Sequence, residues 1–325
     1  MIRYLCRRLL YAVPILLGVN LITFALFFVV NSPDDMARMH LGDKRVTTEM
    51  VSKWKHDHGY DRPLLIADDR QGWQRLTDTL FVRHSLRLFL LDFGRADDGR
   101  DISADIRQRM GPSLAIALPN LLIGLLMTIT VSLTLVFFRA TYIDLGGILV
   151  AVAMMSISAM FYIIAGQYLL GKLLNLTPIS GYQEGWDSIR FLVTPVLVGV
   201  VAGFGSSVRW YRTLFLEEIE KDYIRTARAR GLGESAVLFR HLLRNAMIPI
   251  LTGVVVVIPL LFMGSLITES FFSIPGLGSY TIDAIRAQDF AIVRAMVFLG
   301  SLLYIIGLIL TDISYLLVDP RVRLR

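Results

Sequence analysis

Residues 217–232 show the clearest chemical pattern in the chain, and it suits recognition of a partner, not the making or breaking of bonds. Acidic side chains come first and arginines follow. That order complements a helix dipole, at about 0.3–1 kcal/mol for each favourable charge. Gly231 comes next, and glycine readily takes the left-handed conformation that ends many helices. The sequence therefore predicts a charged helix that begins near Glu217 and stops at Gly231, with a second helix from about Glu234.

This segment has two open interpretations. As a plain connector between membrane helices, it would be a solvated amphipathic stretch whose surface tolerates change. As a docking helix, it would lie in a groove of a soluble partner, as amphipathic helices do in many complexes. Tyr223 and Leu232 would then be the apolar anchors, and Arg225 and Arg228 would face an acidic or polar rim.

Two other patterns resemble catalytic or metal sites only in part. Residues 166–172 imitate a phosphate-binding loop, but Leu173 stands where serine or threonine would hold Mg²⁺, and no strand precedes them. His56 and His58 flank Asp57, and the pair either binds a metal or is simply solvated at the end of an exposed helix. Solvation is the commoner case. The sequence therefore predicts no catalytic residue, no metal site and no cofactor bound by this chain.

Ionisable residues inside or beside membrane helices are candidates for function, because burying their charge is costly. Asp312 lies about two turns inside the last apolar run, and Glu269 and Ser270 lie at the outer end of the fifth. Asp312 either lines a solute path or pairs with a neighbouring helix. The stretch that begins at Glu269 forms either a gate or a rigid turn. These three residues are therefore a candidate gate or pore region.

Six long apolar runs must position these residues. Of the 325 residues, 54% are hydrophobic and 18% are charged, against about 25% charged in soluble domains. Each run exceeds the ~20 residues that a helix needs to cross a bilayer. The sequence therefore predicts an all-α membrane protein with six transmembrane helices. The runs cover residues 9–30, 112–138, 145–170, 191–211, 247–268 and 293–318.

Basic residues in the short flanks of these runs predict the orientation. With the N-terminus inside, fifteen Lys and Arg residues fall on the inner side and four on the outer side. Because cytoplasmic loops are enriched in positive residues, both termini are predicted to be cytoplasmic. The first run is also longer than the apolar part of a signal peptide and meets no small-residue cleavage site, so it is predicted to be retained.

The predicted organisation has three parts. Residues 1–30 form a cytoplasmic tail and the first helix, 31–111 form an external domain with a helix at 47–58, and 112–325 form a five-helix core. Within the core, residues 213–246 carry many charges, each of which costs about 2.5–3.5 kcal/mol at the membrane centre. They are therefore predicted to form a cytoplasmic loop between the fourth and fifth spans.

Several stretches together resemble the permeases of peptide-type binding-protein-dependent ABC importers. The segment DYIRTARARGL at 222–232 resembles the peptide version of their coupling loop, the EAA loop, with Arg225 where the general motif is acidic. The likeness is dense in the C-terminal third. Two features depart from the family: SPDD at 32–35 replaces a PGDP-like stretch, and 31–111 is unusually long. The other matching stretches are RYL at 3–5, RRLL at 7–10, Pro14, DRPL at 61–64, RHLLRNAMIP at 240–249, ESFFSIPGLG at 269–278, DAI at 283–285, DISY at 312–315 and DPR at 319–321.

This resemblance implies a multi-pass permease half of an ATP-driven importer in the bacterial inner membrane. Its implied partners are a second homologous permease, two ATPase subunits or domains that use ATP and Mg²⁺, an external solute-binding protein and membrane lipid, with no nucleic acid. ATP binding would close the ATPases, move the coupling helix and switch the cavity from inward- to outward-facing. The residues that the resemblance assigns to ATPase coupling are Asp222, Tyr223, Arg225, Ala227, Arg228, Ala229, Gly231 and Leu232.

Other functions fit the sequence less well. A secondary transporter would need charged relays at mid-membrane, yet 112–138 and 145–171 contain no acid, base or histidine. An intramembrane hydrolase would need a catalytic constellation within the spans, and no predicted span contains histidine. The solute is open: di- or oligopeptides lead, and nickel, glutathione-like thiols, antimicrobial peptides and sugars are alternatives.

Overall fold

The computed structural model describes residues 2–42, 46–66 and 74–318. Across these ranges the chain is mostly helical, and its strand-like pairing is an isolated bridge between Arg95 and Asp101. π turns at Leu26–Val30, Gln167–Leu173 and Val237–Leu242 and 3-10 turns at Leu86–Leu90, Gly185–Asp187 and Leu261–Met263 extend or join some helices. The α-helices are α1 (Ile2–Ala25), α2 (Pro33–Leu41), α3 (Thr48–Asp57), α4 (Gln74–Thr77), α5 (Leu80–His84), α6 (Ile102–Phe137), α7 (Tyr142–Met155), α8 (Ala159–Gly166), α9 (Ser188–Ile219), α10 (Asp222–Ala229), α11 (Glu234–Ala236), α12 (Leu243–Leu260), α13 (Leu266–Phe272), α14 (Leu277–Ala287) and α15 (Phe290–Val318).

Five continuous helical stretches of the described residues are long and apolar enough to cross a membrane. This confirms the predicted all-α membrane protein. Each is at least 18 residues long with few charges in its most apolar window. The stretches are Leu10–Val30, Ile102–Phe137, Gly185–Ile219, Glu234–Met263 and Phe290–Ser314.

The third predicted span, residues 145–170, is a bent pair of helices instead of one continuous helix. Tyr142–Met155 and Ala159–Leu173 meet at an angle of 89°. Ser156 ends the first helix with its hydroxyl bonded to the carbonyl of Val152 at 3.0 Å, and Ser158 has extended backbone. Serine side chains favour helix ends because they bond to nearby backbone groups. The described residues therefore contain six candidate spans if this pair counts as one.

One compact unit of the chain joins the residues up to Arg109 with Tyr280–Ile309. Its core is aromatic: the rings of Phe28 and Tyr60 lie 5.5 Å apart, and Trp54 packs in the same cluster. The predicted helix at 47–58 is confirmed as α3, which begins after an N-capping threonine at position 47.

The start of α2, within the same unit, explains the SPDD stretch that departs from the family pattern. The Ser32 hydroxyl accepts a bond from the backbone of Asp35, whose carboxylate accepts one from the Ser32 N–H. Pro33 occupies the first helical position, where its missing N–H costs nothing. The stretch is therefore a self-contained helix start.

The second compact unit comprises Met110–Ser279 and Leu310–Val322. Between α7 and α9 it contains a two-pronged ion pair, in which Arg212 donates from Nε and Nη2 to the Asp144 carboxylate at 2.7 and 2.8 Å. Asp144 is 5% exposed and also accepts a bond from the Ala140 N–H. Bidentate pairs of this kind fix two helices in one register. The sequence-based division into 1–30, 31–111 and 112–325 is different in kind, because it groups residues by the side of the membrane on which they are predicted to lie. It stays a prediction.

Candidate functional site

Helix α10, at the centre of the predicted coupling segment, ends as its sequence predicts. Gly231 has φ +79°, and its N–H donates to the carbonyl of Arg228 at 2.9 Å. The Leu232 N–H donates back to the carbonyl of Ala227 at 3.4 Å. These two bonds form a Schellman motif, which requires a left-handed residue where glycine stands. The predicted glycine stop is confirmed, as is the start of a new helix at Glu234.

The predicted start of this helix is wrong, because Glu217 and Glu218 belong to the last turn of α9. Glu218 folds back against the next helix instead. Its carboxylate accepts one bond from the Lys221 ammonium and one from the Tyr223 hydroxyl, both at 2.6 Å. Burial and the neighbouring Glu218 carboxylate raise the pKa of Tyr223, so its hydroxyl stays a donor. These contacts fix the angle between the two helices.

One face of α10 is buried in an apolar cluster, which we call the coupling core. Ile224 and Ala227 are 0% and 4% exposed. The cluster connects α10 to the ends of three long helical stretches, those of α6, α9 and α12. Ala227, which the family resemblance assigns to ATPase coupling, therefore faces inward. The partners in the coupling core are Leu133, Val136, Phe215, Ile219, Val237, Leu238, Leu242, Ala246 and Ile250.

The opposite face of α10 and the turn after it are exposed. The Arg225 side chain is 73% exposed, with a loose 3.4 Å contact to Asp222. Arg228 is half-buried and forms a two-pronged pair with Glu234, at 2.7 and 3.2 Å. Two large apolar side chains are also exposed here, Leu232 and Phe239. No sequence pattern marks Phe239. Asp222, Arg225, Ala229, Gly231 and Leu232 are all exposed, and we call these residues together with Phe239 the α10 surface.

A second site forms at the turn that contains the ESFFSIPGLG stretch, residues 264–279, which we call the Glu269 turn. The Glu269 side chain is 1% exposed and both carboxylate oxygens are fully engaged. Two of its donors are N–H groups in the first turn of α14, so the carboxylate caps that helix as well. The four donors are the Ser113 hydroxyl at 2.9 Å and the backbone N–H groups of Ser265, Gly278 and Ser279 at 3.0, 2.8 and 3.1 Å.

Glycines make room for this carboxylate. A Cβ atom added at Gly264 or Gly276 would fall on the Glu269 carboxylate, and one at Gly278 would fall on the backbone of Ser265. Gly264 also has φ +68°, which side chains rarely adopt. The serines and glycines of this stretch therefore surround one buried glutamate. Two of the serines donate hydrogen bonds to its carboxylate through their backbone N–H groups, and the glycines leave space for it.

The remaining predicted residues lie elsewhere. Ser270 is half-buried in α13, and Asp312 lies in α15, within the Phe290–Ser314 stretch. The phosphate-loop imitation at 166–172 lies in helical backbone, at the end of α8 and in the π turn after it. The stretch DPR at 319–321 lies outside the described residues.

The two histidines at the end of α3 turn to different partners. The Nδ1 atom of His56 lies 2.9 Å from an Asp61 carboxylate oxygen, and this contact lowers the pKa of Asp61. His58 stacks on Trp54 with ring centres 4.2 Å apart. Among the described residues, no group of three or more His, Cys, Asp or Glu side chains is arranged to hold a metal ion.

Sequence reasoning missed residues whose roles arise from contacts between distant segments. Ser113 lies 156 positions from the glutamate that it contacts, and no local pattern marks it. Ile224 was detectable, since it and Ala227 repeat at helical spacing, but the charges around them dominated the interpretation. Glu218 had a signal too, a cation three residues later.

Comparison with known proteins gives consistent results along the whole chain. A family model for the inner membrane component of binding-protein-dependent transport systems matches residues 109–324, and one for the N-terminal part of such components matches residues 1–86. A Brucella abortus (strain 2308) protein, provisionally named a peptide transport system permease protein, is 31% identical over 98% of both chains. A glutathione transport system permease protein of Salmonella choleraesuis (strain SC-B67) is 29% identical over 99% of both chains.

Proposed function

The chain belongs to the family of binding-protein-dependent transport system inner membrane components, and we propose that it forms half of the solute path of an ATP-driven importer of di- or oligopeptides. The names of the relatives support a peptide-like solute, and glutathione, itself a short peptide, is the second candidate. Nickel and antimicrobial peptides remain alternatives of the same transporter type. The proposed partners are a second homologous permease, two ATPase subunits or domains, an external solute-binding protein and membrane lipid.

The two faces of α10 carry this proposal. Ile224 and Ala227 are buried among residues of three long helical stretches, while Arg225 and Leu232 are exposed. An ATPase that binds the exposed face would push on a helix whose other face cannot slip, because its side chains interlock in a dense core. Closure of the ATPases would therefore move the membrane helices as a body. ATP and Mg²⁺ belong to the partner ATPases in this mechanism.

The candidate gate or pore residues enter the proposal in different roles. Glu269, with all four of its donors supplied by the protein, would hold the end of a gate rigid without itself touching solute. Ser270 lies beside it in α13, at the edge of the same gate. Asp312, within a candidate span, would line the solute path.

Orientation forms part of the same proposal. Both termini and α10 would be cytoplasmic, and residues 31–111 would be external, because basic residues favour the cytoplasmic side. Reporter fusions at Arg325 and near Asp69, two positions outside the described residues, should report opposite compartments. Reports from the same compartment would overturn the arrangement.

The coupling proposal is tested most sharply at Arg225. Arg228→Glu would also break the ion pair with Glu234, so its effect would mix two causes. Arg225→Glu changes a side chain that is 73% exposed, and should cost within about 0.5 kcal/mol of stability. We expect unchanged membrane level, at least a threefold loss of co-purified ATPase, and a matching loss of peptide uptake.

The control is Lys53→Glu, a charge reversal at an exposed position of α3. It should leave ATPase co-purification unchanged. If Arg225→Glu and a second variant, Leu232→Asp, both retain full ATPase binding and uptake, α10 is only a connector and the coupling proposal fails.

A further inference from the structure

Residues 80–91, which comprise α5 and the 3-10 turn after it, contact α1 far from the end of that helix. The Asn20 side chain donates from Nδ2 to the carbonyl of Ser85 at 2.9 Å, and both residues are buried. Asn20 is the central residue of the membrane-length stretch Leu10–Val30. It therefore lies about 15 Å of helix from either end of that stretch. Ser85 lies level with the middle of a candidate span.

A second candidate span gives a similar level. The ring of Phe89 lies 5.2 Å from the ring of Phe298, which is well inside the stretch Phe290–Ser314. Leu88 is 6% exposed and packs in one apolar cluster with Leu16 and other residues of α1 and α15. The segment thus lies within the apolar length of both helices and not beyond their ends.

The path of the chain reaches this level and returns on one side. The ring of Phe81 lies 5.1 Å from that of Phe24, one helical turn closer to the end of α1 than Asn20. After the segment, the Asp97 N–H donates at 2.9 Å to the carboxylate of Asp289, which directly precedes α15. The start of α15 lies beside the end of α1. The chain therefore comes back to the level from which it descended.

Three leucines of the segment remain exposed instead of packing on these helices. Leu90 is 81% exposed, Leu91 54% and Leu86 36%. Adjacent exposed leucines are typical of surfaces that contact a membrane or another protein. Because they neighbour Leu88, they lie beside the exposed apolar surface of two membrane-length helices. Hydrocarbon is the environment that suits both surfaces.

The two arginines of the segment are compatible with this location. Arg83 and Arg87 line a cavity of about 610 Å³ that also borders His56 and Asp57, at the polar end of α3. Their long stems can lie along apolar surface while the guanidinium groups reach the headgroup layer. Segments with leucine on one face and arginine on another are typical of membrane interfaces.

We infer that residues 80–91 form a re-entrant segment, with lipid acyl chains covering Leu86, Leu90 and Leu91. The segment enters the apolar layer from the side where α1 ends and leaves on the same side. Its backbone suits this environment, because the Leu88 N–H donates to the carbonyl of Ser85 and the Leu91 N–H to that of Leu88, at 3.3 and 3.0 Å. The inference needs neither the identity of the solute nor the orientation of the chain.

The test is the accessibility of spin labels on single-cysteine variants of the full-length chain in lipid nanodiscs, with Cys6→Ser as the background. Electron paramagnetic resonance compares collisions with oxygen, which concentrates in hydrocarbon, and with a water-soluble chromium oxalate complex. Labels at Leu86→Cys and Leu90→Cys should favour oxygen at least about threefold, because water is excluded from the bilayer core. Both side chains are exposed, so the substitutions should not disturb folding.

Two control positions calibrate the result. Ile22→Cys, at an exposed position of α1, should favour oxygen to the same extent, and Lys53→Cys, at an exposed position of α3, should favour the chromium complex. Labels at Leu86 and Leu90 that behave like the one at Lys53 would place the segment in water and overturn the inference. Few collisions with either reagent would show that protein covers the leucines, and would overturn lipid as their partner.

Discussion

Helix α10 and the Glu269 turn are both held in place by contacts within one compact unit, but by different kinds of interaction. The helix is held by apolar burial, chiefly of Ile224 and Ala227. The turn is held by four hydrogen bonds to one carboxylate, in a space that glycines leave open. Apolar contact is not directional, whereas hydrogen bonds weaken steeply when their angles change.

In the proposed mechanism this difference gives the two parts different roles. The apolar face of α10 interlocks with its neighbours, so in the proposed mechanism a push on α10 would pass into the coupling core. The carboxylate of Glu269 cannot shift without leaving buried donors unpaired, which costs about 1–3 kcal/mol for each group. In the proposed mechanism the turn would therefore keep its shape while other segments move.

The largest effect on stability is expected at the coupling core. Ile224→Ala removes a fully buried side chain, and should lower the free energy of unfolding by about 2–5 kcal/mol, because a cavity is left behind. Denaturant titration of the purified chain in detergent measures this. Ile224→Val is the matched control and should cost only about 0.5–1.5 kcal/mol. A cost below 0.5 kcal/mol for the alanine variant would show that the face is not packed.

A smaller loss is expected at the Glu269 turn. Glu269→Gln keeps the size of the side chain but replaces one acceptor oxygen with an NH₂ group, which then faces N–H donors. The expected cost is about 1–3 kcal/mol in the same titration. Glu184→Gln, at an exposed position, should change stability by less than about 0.5 kcal/mol. If Glu269→Gln and Glu184→Gln cost the same stability, the hydrogen bonds to Glu269 do not hold the turn, and its contrast with the apolar packing of α10 is lost.

The smallest of these effects is expected at the stop of α10. Gly231 has φ +79° and open space where a Cβ would be, so Gly231→Ala tests backbone strain alone. It should cost about 1–2 kcal/mol. Gly233 also has open space but φ −66°, and Gly233→Ala should cost less than half as much. Identical costs at the two glycines would show that the left-handed conformation does not define this end of the helix.

Much of the fold follows from short-range pattern. The apolar runs, the capped start of α3 after Thr47 and the stop at Gly231 depend on a few neighbouring residues, so the sequence predicts them. The start of α10 was predicted five residues too early because Glu217–Glu220 look like a helix start. The structure shows that α9 continues to Ile219 and that Glu218 bonds to Lys221 and Tyr223 in the next segment.

By itself the sequence determined the membrane class, the positions of the apolar helices, the charged segment between two of them and the family resemblance. Only the tertiary structure decided that the third apolar run bends by 89°, that Ala227 faces inward, and which donors surround Glu269. The physical reason is the distance along the chain over which each interaction acts. Helix formation and capping act within about four residues of the chain. A pair such as Asp144 and Arg212, 68 positions apart, exists only once packing has brought two helices together.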